Sequence, residues 1–167
     1  MHTRLKSRFY ATAVAIASVT GFLSTQALAT TQSGPMAVSA TVNASCAISP
    51  NALAFGVYAG SQVRQTTTIS VTCTNTTAYN VGLDAGTTSG ATVSNRKLSD
   101  GNGHTLNDAL YQDSGYSTNW GNTVGTDTET GSGTGSAQSL NVYGQIAASQ
   151  TPVPGSYTDT ITATVTY

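Results

Sequence analysis

The chain has 167 residues, six basic and seven acidic, and is 8% charged, where an average domain carries about 25%. Thr, Ser, Gly and Asn make up the difference, the composition of an extracellular β-protein and not of a cytosolic enzyme. A charge this sparse and on balance acidic leaves no basic patch for nucleic acid or anionic lipid.

Met1 to Arg8 carries Arg4, Lys6 and Arg8, an apolar run follows from Phe9 to Leu23, and Ala27-Leu28-Ala29 closes it. Basic head, apolar middle and small-x-small exit are the parts of a secretory signal. The run is short of the roughly 20 apolar residues that a membrane span needs. Residues 1–29 therefore read as a cleaved signal peptide, with no membrane insertion afterwards. The 138 residues that remain are one domain's worth, with three basic residues against seven acids, a net charge of −4.

From Met36 to Ile48 every even position is apolar: Met36, Val38, Ala40, Val42, Ala44, Cys46 and Ile48. A period of two places them on one face of an extended strand. Near a free N-terminus, a strand with such a face needs a groove, in its own domain or in a neighbouring copy. Alternation returns at Leu53, Phe55 and Val57, at Ile69, Val71 and Cys73, and at Tyr79, Val81 and Leu83, with turn compositions between them. The two cysteines, Cys46 and Cys73, both lie on apolar strand faces of an exported chain, and one disulfide is the natural reading.

Residues 85–109 are rich in Gly, Ser, Asn and Asp, with a short strand expected near Ala91 to Leu98 and another at Ala109 to Gln112. Trp120 is an isolated aromatic expected to bury against a sheet edge. Val124 to Gln138 has almost no apolar content and reads as a loop or hairpin tip. Leu140, Val142 and Ile146 mark a firm strand with Gly144 in phase, Pro152, Pro154 and Gly155 break the chain, and Thr158 to Tyr167 alternates again. Ile161, Ala163, Val165 and Tyr167 form its apolar face. No helical period follows residue 29. Short strands spaced by turns indicate an all-β antiparallel sandwich.

Catalytic and metal chemistry finds little support. His104, the one histidine outside the leader, sits in the turn-like DGNGHTLND with no Gly-x-Ser-x-Gly partner. Asp100, Asn102, Asn107 and Asp108 resemble a calcium loop but lack the sixth-position Gly and twelfth-position Glu. Asp127 and Glu129 lie in a Gly/Ser/Thr loop, where hydration would leave them no division into acid and base. Trp120 with Tyr111 and Tyr116 could stack on a sugar, though single aromatics on sandwiches more often serve as core. No enzyme, cofactor or metal site is expected.

Apolar-faced strands at both ends, without the charges or prolines that blunt a sheet edge, suit strand addition between copies. Donor and acceptor surfaces differ, so such contacts would give an open fibre. The competing reading is a self-contained secreted coat or carbohydrate-binding sandwich.

In the order SATVNASCAI (39–48), AFGVY (54–58), ISVTCTN (69–75), YNVGLDAG (79–86), ALYQD (109–113), Trp120-Gly121, SLNVYGQI (139–146) and PGSYTDTITATVTY (154–167), the chain resembles the spore coat protein U family, which includes the pilins of archaic chaperone–usher pathways. The resemblance implies an incomplete immunoglobulin-like sandwich, residues 45–167, completed by donor-strand exchange. Residues 30–44 would be the donor segment, with Met36, Val38, Ala40 and Val42 as its inserted side chains. Ile161, Ala163, Val165 and Tyr167 would line the acceptor strand. The implied partners are a periplasmic chaperone, an outer-membrane usher and further copies or related pilins. The implied function is a surface fibre for adhesion and biofilm formation.

Overall fold

The computed structural model describes residues 28–167, so the signal-peptide expectation lies outside the described residues except at Leu28 and Ala29. The chain divides into an N-terminal stretch reaching Ala40 and a domain from Thr41 to Tyr167. The domain holds eight strands: β1 (Cys46–Pro50), β2 (Val63–Cys73), β3 (Ala78–Leu83), β4 (Arg96–Ser99), β5 (Thr105–Tyr111), β6 (Glu129–Ser132), β7 (Ala137–Ile146) and β8 (Ala163–Thr166). They form a five-stranded sheet, β1-β2-β7-β5-β4, and a three-stranded sheet, β6-β3-β8. Every pairing is antiparallel. The fold is the all-β antiparallel sandwich that the alternation predicts, and its immunoglobulin-like form is the one that the family resemblance implies.

The apolar phases face each other across the two sheets. Ile69, Val71 and Cys73 of β2, Leu110 of β5 and Val142 of β7 meet Tyr79, Val81 and Leu83 of β3, all buried. Threonines fill the opposite phase of β2, where a β-branched polar side chain suits a pleated, half-wet surface. Trp120 is completely buried between the sheets, not at an edge. Its backbone N–H donates to Leu110 O at 2.9 Å and its Nε1–H to Val81 O at 2.8 Å, so one residue is bonded to both layers.

Cys46 and Cys73 stand opposite each other in the β1–β2 register and are joined by the expected disulfide. They close a loop of 27 residues' separation. Replacing both by alanine is expected to lower the unfolding free energy by about 3 kcal/mol, read as a fall in denaturant midpoint with a steeper slope from the more expanded unfolded chain.

Three expectations are corrected in detail. Leu53, Phe55 and Val57 alternate, but residues 51–62 join no ladder. Leu53 and Phe55 instead lie over the bare backbone of Gly144, where a Cβ would come within 2.5 Å of Leu53 Cδ2 and 2.9 Å of Phe55 Cζ. The alternation is satisfied by that notch and not by a neighbouring strand, and Val57, past the positive-φ Gly56, is 90% exposed. The stretch Val124–Gln138 is not all loop, because β6 pairs with β3 from Ala78↔Ser132 to Val81↔Glu129. Gly131 allows that approach, since a Cβ there would run into the Tyr79 ring. The last strand is shorter than its alternation suggests and starts at Ala163.

A cleft between two open strand edges

The strands β1 and β8 each stand at one edge of their sheets, opposite β4 and β6, and each pairs on one side only among the described residues. Between the chain just after β1 and the start of β8 runs a cleft of about 360 Å³. Leu53 and Phe55 form one wall, Ile161 and Ala163 the other, and Ile69, Leu110 and Val142 the floor. It continues past Leu53, Phe55, Leu98 and Asp159 into a wider space of about 740 Å³ beneath Val57 and the Pro152–Tyr157 turn. An apolar trough beside an unpaired strand edge can take in an extended peptide. The edge supplies main-chain hydrogen bonds and the trough takes alternate side chains.

Carboxylates shape the wall before β8. Asp84 Oδ1 accepts from the N–H of Gly86 at 3.0 Å and of Thr162 at 2.8 Å. Burial opposes its ionisation, but those N–H groups and the nearby Arg96 charge hold its pKa below the ordinary carboxylate value. Asp159 Oδ1 accepts from the N–H and hydroxyl of both Thr87 and Thr88 at 2.9 to 3.2 Å. These bonds fasten residues 159–162 to the loop after β3, which is why the ladder begins only at Ala163.

Two acidic oxygens in the cleft have no partner. Asp108 is 7% exposed, and its Oδ1 and the Oδ2 of Asp159 are buried without a hydrogen bond. Burial raises the Asp108 pKa to about 6, with the Asp159 charge adding and the Arg96 charge opposing. Arg96, in register with Asp108 across β4–β5, is fully buried. Its Nε–H donates to Asp84 O at 2.9 Å, Nη1 to Val93 O at 2.7 Å, and Nη2 to Leu83 O at 2.9 Å and Trp120 O at 2.7 Å.

The predicted site residues fall into two groups. Met36, Val38 and Val42 are 83%, 82% and 86% exposed, Ala40 is exposed as well, and residues 30–44 belong to no strand among the described residues. Ile161 and Ala163 line the cleft, and Val165 is half-buried beside the core. Tyr167 lies one residue past β8 and is 59% exposed. Sequence reasoning did not identify Arg96 or Asp159 as site residues, and it met Asp108 only as a weak calcium candidate. The visible signal was a buried-phase charge in each of two adjacent strand patterns.

The other candidates are placed apart. His104 Nδ1 lies 2.7 Å from Asp100 Oδ2 on an exposed turn. Asp100 also accepts from the backbone N–H of Asn102 and His104, while Asp108 points into the cleft, so the calcium-like residues do not converge. Asp127 Oδ1 accepts from Thr123 N–H at 2.7 Å and Glu129 starts β6. Tyr111, Tyr116 and Tyr143 stack edge to face, with Arg64 4.0 Å over the Tyr116 ring. Trp120 takes no part in that cluster, because it lies in the core. No helix among the described residues is long and apolar enough to cross a membrane.

A profile described as the Spore Coat Protein U domain matches residues 32–164. No curated protein matches the sequence. Among solved structures, the chain is similar to the CsuC–CsuE chaperone–tip adhesion subunit pre-assembly complex from archaic chaperone–usher Csu pili of Acinetobacter baumannii, with a TM-score of 0.57 and 20% identity. That match covers 76% of this chain but only 40% of the other.

Proposed function

The chain belongs to the Spore Coat Protein U domain family, and on that footing we propose that it is a structural fibre subunit and not an enzyme. Copies join when residues 30–44 of one enter the cleft between β1 and β8 of the next. The observation that carries this reading is the coexistence, in one chain, of an exposed segment of alternating apolar residues and an open apolar cleft beside a free strand edge. Each is costly to leave in water. Burying Met36, Val38 and Val42 would contribute about 1.5–3 kcal/mol apiece, together with a ladder of main-chain hydrogen bonds along β8. Each junction uses unlike surfaces, so the assembly grows as an open filament.

Export through the periplasm fits the leader and the disulfide. A chaperone would cover the cleft until assembly, and an outer-membrane usher would exchange that cover for the next subunit's segment. The similarity to a chaperone–subunit complex supports this route. The finished fibre would stand on the cell surface and serve adhesion and biofilm formation.

Deleting residues 30–43 tests the reading. The truncated chain is expected to lose all high-mass assembly by size-exclusion chromatography and electron microscopy while still binding its chaperone. Assembly that persists undiminished without the segment would overturn it.

A further inference from the structure

The acceptor cleft carries charge at one place only. Asp108 and Asp159 both line it there, each with a buried oxygen that has no hydrogen-bond partner. The nearest cation, Arg96, has four of its N–H bonds committed to carbonyls. Behind Arg96 lie two further acids, Asp84 and Asp127. The remaining walls bring no charge: Asn51, Leu53, Phe55, Thr67, Ile69 and Val142 face the cleft from residues 51–55, β2 and β7. The in-phase residues of the proposed donor segment, Met36, Val38, Ala40 and Val42, have no side-chain group that can donate to a carboxylate.

We propose that strand entry into this cleft is coupled to the uptake of one proton by Asp108. This inference rests on the strand-acceptor reading above. An apolar strand laid over the cleft removes the water that still reaches the carboxyl, and an ionised group enclosed in apolar surroundings beside a second carboxylate is strongly disfavoured. The proton comes from solvent and leaves again when the strand leaves. A carboxyl whose pKa is higher with the cleft filled than open adds affinity that is fully present below the open-cleft value. That affinity is lost as pH rises through the filled-cleft value. The open-cleft value is the raised one of about 6, so the coupling operates from there upward.

The test uses the full chain carrying Val38→Asp and Val42→Asp, whose charges the cleft carboxylates repel, so that its own segment cannot fill the cleft. An acetylated, fluorescent peptide of residues 30–44 is then titrated by anisotropy between pH 5.5 and 8. Affinity is expected to rise about tenfold per pH unit of acidification across the interval between the two pKa values. The same titration with Asp108→Asn is expected to be flat. Calorimetry in two buffers of different ionisation enthalpy, on the chain with Asp108 intact, is expected to count about one proton taken up. That count decides the matter even if the asparagine variant fails to fold. Peptide binding with equal affinity at pH 5.5 and 8 and no proton uptake would overturn the coupling and leave strand acceptance standing. Absence of peptide binding at every pH would sink both.

Discussion

Replacing Arg96 by methionine is expected to lower the unfolding free energy by about 3–5 kcal/mol, the range for removing one partner from a buried charged network. Arg96 is not part of an exposed ion pair, where the loss would be small. Its guanidinium joins four carbonyls that no strand ladder satisfies: Leu83 and Asp84 as β3 ends, Val93 before β4, and Trp120 between β5 and β6. Methionine fills a similar volume but leaves those oxygens buried and unpaired, each at a cost of about 1–3 kcal/mol before relaxation. Lysine is expected to rescue little. A single ammonium cannot present a planar fork to four acceptors. Denaturant titration followed by far-ultraviolet circular dichroism checks both variants. A loss under 1 kcal/mol in the methionine variant would mean that water or backbone movement satisfies the carbonyls without the guanidinium.

A comparable loss, about 3–5 kcal/mol, is expected for Trp120→Ala. The indole is the largest fully buried side chain, and its removal leaves a cavity at the point where the two sheets are bonded through one residue. The Val81 carbonyl that accepts from Nε1–H would lose its partner as well. Phe restores most of the volume and none of the hydrogen bond, so Trp120→Phe should lie between wild type and Ala. Trp120 is also the only tryptophan in the chain, so the emission shift of the unmodified protein reports the opening of this core directly. Destabilisation by Ala below 1 kcal/mol would show that the surrounding residues collapse into the space.

Most of the sandwich could be read from period-two patterns because burial enforces them. A strand packed on one face must alternate, and β2, β3 and β7 do. Failures occur where something other than one-face burial decides. The β6 stretch is written in Glu, Thr, Gly and Ser, and it becomes a strand because β3 has a free edge and Gly131 clears the Tyr79 ring. Leu53 and Phe55 keep the alternation of a strand without its hydrogen bonds, because a glycine on a distant strand gives them somewhere to sit. The charges of the cleft were least legible. Single Arg and Asp residues at inward positions look like exceptions to a pattern, and only three-dimensional proximity shows that Arg96, Asp108 and Asp159 come together beside the cleft.

The cross-link at Cys46 lies at the root of the N-terminal arm, two residues beyond Ala44. Traction on that arm meets the hydrogen bonds of Ser45 to Thr74 and then, at this cysteine, the first covalent tie to the domain. From there the covalent path leads directly to Cys73 at the end of β2, the longest strand, and by-passes the other four residue pairs of β1. In a thread made of such joints, tension would be handed from one subunit to the next through sulfur and the middle of a sheet, with the outermost ribbon left unstretched.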